Sequence, residues 1–197
     1  MDEVIELFTP ALLRENLILS GLFTMSYEMM KQTIIGRVKE VFHVDPLWEK
    51  ALPKDHFDEN RKRFVKEVLS LDHDEHEDRA CMFWLQKEGV LSDGDLDVAK
   101  TLVTKRNRMV HEIEFFYRSE KKDIADSFTQ MVKLTDKANR WYLQNEVPEA
   151  EDLKGETPTG MAWMIAMACQ VALNHDDSFI ESWKAFGNAM TSPSQTN

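Results

Sequence analysis

Glycine and proline are scarce, at 7 and 6 of 197 residues. So little turn-forming material leaves few places for tight reversals, which disfavours a fold of many short hairpins. Cysteine is scarcer still. Cys81 and Cys169 each lie in an apolar run, so buried free thiols in a reducing compartment are expected rather than a disulfide scaffold. No apolar run reaches the ~20 residues of a membrane-spanning helix; the longest, residues 161–173, is interrupted by Gln170. The first ten residues, MDEVIELFTP, lack the basic and apolar regions of a secretory signal, so a cytoplasmic chain without membrane association is expected. Positive charge is also in deficit: 24 Lys+Arg against 35 Asp+Glu give a net charge of −11. That balance excludes a broad, non-specific grip on nucleic acid and leaves only a local one.

What is present is helical. Hydrophobic residues make up 43% of the chain, enough for a sizeable core in one domain. Thr9-Pro10 supplies a hydroxyl N-cap with proline in the first turn. After it Leu13, Leu17, Phe23, Tyr27, Met30, Ile34, Val38 and Val41 recur at helical spacing, predicting a long helix to about Phe42. Pro46 and Pro53 then predict a loop, and Asp58 the start of a second helix through Phe64, Val65, Val68 and Leu69. The stretch LDHDEHEDR, residues 71–79, is too polar for core. A third helix carries Cys81, Phe83, Trp84 and Leu85 and is capped by Gly89. Ser92-Asp93-Gly94-Asp95 turns the chain into a helix starting near Asp95, with Leu102, Met109, Ile113 and Phe116 inward. Ser119-Glu120 restarts a helix through Ile124, Phe128, Met131, Leu134 and Trp141. The expected organisation is an all-α four- to five-helix bundle over residues 1–146, an acidic linker at 147–160, a C-terminal helical pair at 161–191 on the bundle or at an interface, and a disordered tail at 192–197. Neither an internal repeat, nor a glycine-rich phosphate loop, nor strand-like alternation is found, which argues against nucleotide folds built on parallel sheets.

The segment LVTKRNRMVHEI, residues 102–113, carries the chemistry. Successive helical residues are ~100° apart, so Arg106 falls within ~60° of Leu102, Met109 and Ile113 and places a guanidinium on the apolar stripe. Asn107 and His111 are four apart and share a face, where an amide can orient an imidazole. Arg106 and His111 are five apart, ~140° around an ideal helix, so one straight helix does not by itself join their head groups. Histidine to move protons and arginine to clamp phosphate oxygens suit phosphodiester chemistry. In RNA the 2′-hydroxyl is a nucleophile already held beside the phosphorus, so no metal is required.

Arg106-Asn107 followed by His111 resembles the Arg-Asn-x-x-x-His signature of HEPN-domain proteins. The preceding FWLQKEGVLSDGDLDVAKTLVTKR, residues 83–106, resembles the helix, glycine turn and helix that lead into that signature. The resemblance spans residues 10–145. It implies an HEPN-like bundle, dimerised so that two signatures face one cleft, and a metal-independent endoribonuclease that leaves 2′,3′-cyclic phosphate ends, as in toxin–antitoxin and other defence systems. Arg106 and His111 would be the catalytic pair, Asn107 their polar neighbour, and the partners RNA, a second copy and a neutralising antitoxin, with no cofactor and no metal. Some toxin members continue the signature as His-x-Tyr, a tyrosine modified by the antitoxin; Ile113 stands there in this chain, so that regulation is not expected. Other members keep the fold without cleavage, and the alternative is therefore a non-catalytic interaction or regulatory module binding a protein partner or a nucleotide.

Blander readings stand beside these. Arg106 can be a structural arginine paired with a carboxylate of another helix, Glu77 or Asp78 among them, and His111 a surface or capping histidine. Lys100, Lys105 and Arg108 form either a local RNA track or a solvated face. Asp72, His73, Asp74, His76 and Asp78 suggest an acidic surface segment more than a metal site, since their spacing matches no specific ligand pattern. Trp163, Trp183 and Phe186 suit core or dimer packing better than a cofactor box.

Overall fold

The computed structural model describes residues 9–74, 76–111, 121–146 and 159–172. Ile113, Phe116, most of the linker, the second helix of the C-terminal pair with Trp183 and Phe186, and the tail lie outside them. Within them the chain is an all-α bundle, and none of the described residues forms a strand. The helices are α1 (Pro10–Phe42), α2 (Pro46–Ala51), α3 (Lys54–Glu67), α4 (Glu77–Lys87), α5 (Asp93–His111), α6 (Lys121–Glu146) and α7 (Met161–Ala172), with a 3-10 turn at Leu69–Leu71 after α3. No helix among the described residues is long and apolar enough to cross a membrane.

The long first helix is the spine. Phe23, Met30, Ile34 and Val38 are wholly buried, as their spacing predicts, and Tyr27 and Phe42 nearly so. Leu13 and Leu17, expected on the same stripe, are instead exposed, Leu17 to 65%; the buried register sets in only at Leu19, where the helix begins to meet the core. Against α1 lies α6, which buries Ile124, Phe128, Met131 and Leu134. The two helices run parallel: Phe23 meets Phe128 edge-on with centroids 5.6 Å apart, and farther along both helices Arg37 Nε donates to Asn139 Oδ1 at 2.6 Å. α5 runs antiparallel to α6, since Asp95 binds Lys137 at 2.7 Å and Lys105 binds Ser127 at 2.8 Å. α7 starts beside Asn139, whose amide donates to the Thr159 carbonyl at 3.2 Å, and buries Ala162, Ile165 and Ala168.

Three local expectations are corrected. The expected loop between Pro46 and Pro53 contains α2, because Asp45 caps it, accepting from the Leu47 and Trp48 N–H groups at 2.7 and 3.2 Å, with Pro46 in the first turn. The next helix starts at Lys54 rather than Asp58, directly after Pro53. Asp72, placed with the surface residues of the polar stretch, is buried: its Oδ2 accepts from the His76 backbone N–H at 2.8 Å and from Arg79 at 3.0 Å. Those two partners replace the water it loses. The polar stretch thus interrupts the helix and ties the entry of α4.

Candidate functional site

The helix that carries the signature is held at its start by two local devices. α4 ends in a Schellman turn: Gly89 adopts φ +76°, Val90 N–H reaches the Leu85 carbonyl at 2.9 Å, and Gly89 N–H reaches Gln86 at 2.9 Å. α5 then begins with a reciprocal cap, Asp95 N–H to Ser92 Oγ at 3.2 Å and Ser92 N–H to Asp95 Oδ2 at 2.8 Å. Burial works to raise the Asp95 pKa, but the Lys137 ammonium and Ser92 outweigh it and hold the carboxyl below its usual range. The glycine turn and serine cap of the sequence therefore set where α5 starts, and with it the register of everything downstream.

Leu102 and Met109 are buried as expected, and Arg106 lies between them. Its side chain is 30% exposed and its guanidinium is paired with Glu28 of α1 at 3.2 Å, while its Nη1 donates to Asn107 Oδ1 at 3.3 Å. The carboxylate partner is thus neither Glu77 nor Asp78. Glu77 is 2.7 Å from Lys39 instead, and Glu28 is bracketed by Arg106 and by Lys31 at 2.8 Å. The inner edge of the guanidinium is less well provided for: Nε is shielded from solvent and has no hydrogen-bond partner among the described residues. A buried, unpaired N–H costs about 1–3 kcal/mol. Asn107 and His111 are both exposed on α5, and so is Val110 between them, at 48%.

Tyr27 and Glu28 complete the cluster. Burial pushes the Tyr27 phenol up to about 12; the Asp78 and Glu28 carboxylates add to the rise and Arg106 opposes it. The Tyr27 spacing marks it only as core, and Glu28 has no sequence signal beyond being a charge on a long helix, since it lies 78 positions from Arg106.

The other candidates separate. Lys105 points to α6, its ammonium bound to Ser127 Oγ at 2.8 Å and to the Asp123 carbonyl at 3.4 Å, and is a strut between helices. Lys100 is 72% exposed, its nearest carboxylate being Asp97 at 3.6 Å, and Arg108 is exposed near the helix end. No group of three or more His, Cys, Asp or Glu among the described residues is placed to hold a metal ion. In the acidic stretch Arg79 instead binds Asp72 and Asp74, at 3.0 and 2.8 Å, and holds the Asp74 carboxyl below its usual range. Cys81 and Cys169 are both free.

A groove of about 280 Å³ separates α4 from α5. Met82 and Phe83 line one wall, Leu96, Ala99 and Val103 the other, with Asp78, Arg79, Lys100 and Thr104 supplying polar groups. At ~100° per residue, Asn107 and His111 continue the groove-lining face of α5, one and two turns beyond Val103 and Thr104. Comparison with family models, with curated proteins and with solved structures finds no match to this chain.

Proposed function

We propose that the chain is a metal-independent endoribonuclease of HEPN type, acting as a homodimer, in the setting of a toxin or defence effector restrained by a neutralising protein. The observation that carries this reading is Arg106. It occupies a core-facing position, its Nε buried without a hydrogen-bond partner among the described residues and its outer nitrogens bound to a one-third-exposed Glu28 and to Asn107, which like His111 is exposed. An arginine kept for stability would have its donors satisfied; one held partly unsatisfied and open to solvent suits a phosphate clamp. In the reaction a base takes the proton of the 2′-hydroxyl, the oxygen attacks the adjacent phosphorus, and the 5′-oxygen leaves with a proton from an acid, giving a 2′,3′-cyclic phosphate. His111 serves as base or acid, Arg106 neutralises charge on the phosphorane-like transition state, and Asn107 orients the imidazole or the phosphate. The exposed apolar residues Leu17, Ile18 and Met25 of α1 and Val110 of α5 offer material for the second copy whose His111 would supply the complementary proton step.

Incubation with a mixed RNA pool in EDTA tests this directly. Cleavage by the wild type that leaves cyclic-phosphate ends, and that folded His111→Ala and Arg106→Ala variants both lack, is the expected result. Cleavage retained by both variants refutes the assignment. The Arg106–Glu28 pair favours one second reading, a non-catalytic module binding a protein partner or nucleotide; absence of cleavage across several RNAs would select it.

A further inference from the structure

Resting on the ribonuclease reading, we infer that the α4–α5 groove is a subsite for an unpaired nucleobase of the RNA. About 280 Å³ is small for a site that encloses a whole ligand and suited to one flat heterocycle. Its walls are apolar and include the Phe83 ring and the Met82 thioether, surfaces that favour a base over a phosphate. Charge then decides which part of a nucleotide enters. Arg79 at the groove is already held by Asp72 and Asp74, which leaves the Asp78 carboxylate to repel a phosphate and to accept from the ring N–H and amino groups of a base, guanine presenting two such donors side by side. Lys100, exposed and only loosely held by Asp97 at 3.6 Å, sits where the sugar–phosphate leaving the groove meets solvent. In a chain of net charge −11 such a local cation is what an RNA path requires.

Position links the groove to the chemistry. α5 runs from Leu96 in the groove to His111 at its end, and Thr104 is ~10 Å along the axis from His111. A strand leaving the groove at Thr104 meets Asn107 and then His111 on the same face, so the scissile phosphate lies a few nucleotides from the captured base. Duplex RNA is excluded from this path, because a paired and stacked base cannot enter the groove.

Two exposed positions at the groove allow the test without touching the core: Thr104→Trp fills it and Lys100→Glu reverses its charge. The wild type, these two variants, Asp78→Asn and His111→Ala are compared by mapping cleavage sites on single-stranded RNA. In parallel, a 2′-O-methyl oligonucleotide carrying 4-thiouridine, which resists cleavage, is photo-crosslinked to the wild-type protein and the adduct located by mass spectrometry. Expected are a rise of about tenfold in KM for Thr104→Trp and Lys100→Glu, an altered base preference near the cut for Asp78→Asn, and adducts on Met82 or Phe83. Wild-type cleavage that His111→Ala abolishes while both groove variants retain the same KM and site map overturns the subsite and leaves the ribonuclease reading standing. Adducts on the groove without any cleavage sink the ribonuclease reading alone. Absence of both cleavage and adducts sinks both. Groove variants that leave RNA handling intact but abolish self-association in sedimentation would show a protein interface instead, and also overturn the proposal.

Discussion

Two regions of the bundle are built from opposite materials. Where α1 ends, Phe42 meets Phe64 and Trp84 edge-on at 5.6 and 5.4 Å, Trp84 meets Trp141 at 5.6 Å, and the Arg63 guanidinium covers the Phe42 ring at 4.7 Å. Four elements are locked there by rings whose edges and faces are complementary. Toward the end of α5, the described residues show a one-third-exposed ion pair, a buried guanidinium nitrogen without a partner among them, and apolar side chains left in solvent. The first region stabilises the fold and the second withholds stability from it. On the proposed reading, a ligand or a second chain would complete these donors and this apolar surface.

On the proposed ribonuclease reading, the largest effect expected from breaking this division is on cleavage. His111→Ala should lower the rate by about 10²–10⁴-fold, the usual contribution of a general acid or base, and leave the melting temperature unchanged because the side chain is exposed. Trp84→Ala should do the reverse. It removes a nearly buried ring from the aromatic junction and should cost about 3–5 kcal/mol in urea unfolding, while the fraction still folded cleaves RNA normally. Loss of activity in both variants at equal folded fraction would mean that the two regions are not separable.

Much of this division can be read before any coordinates. The 3.6-residue spacing places Phe23, Met30, Ile34, Val38, Phe128 and Met131 in the core, and Gly89 and Ser92 mark the turn that sets α5, because these features depend on neighbours within a few residues. The candidate trio of Arg106, Asn107 and His111 is visible for the same reason. Glu28 is not, since an ion pair across 78 positions exists only once α1 and α5 pack. Asp72 misleads because a polar stretch reads as surface until Arg79 and the His76 N–H fold back on it. α2 is too short for any periodicity to show.

Alkaline pH should probe the stable side of the comparison. Burial pushes the Cys81 thiol from 9.0 up to about 12, with Glu77 adding to the rise, Lys39 opposing it and Asp78 reinforcing it. The folded state therefore holds this proton more tightly than the unfolded chain, and the stability it contributes is fully present below the unfolded value. It is lost as pH rises through the window from about 9 toward 12. Urea unfolding should weaken across that window by at most ~1.4 kcal/mol per pH unit from this group, and the slope should flatten in Cys81→Ala. An unchanged slope in the variant would place the alkaline sensitivity elsewhere, with Tyr27 the next group to replace.

The smallest effect on activity is expected inside the second region, at the Arg106–Glu28 pair, and it separates positioning from packing. Glu28→Gln keeps the shape of the side chain and removes its charge beside Arg106 and Lys31. Both members of the Arg106 pair are about one-third exposed, so solvent screens the attraction and the loss of stability should stay below ~1 kcal/mol. The guanidinium, however, loses the charged anchor that fixes its outer edge, and a clamp less well aimed should lower kcat by about tenfold with KM nearly constant, because the missing interaction is one of orientation in the transition state. A fall in stability with unchanged kcat would reverse the assignment: Glu28 would then belong to the packing of α1 against α5, and Arg106 would be the structural arginine that its place on the apolar stripe first suggests.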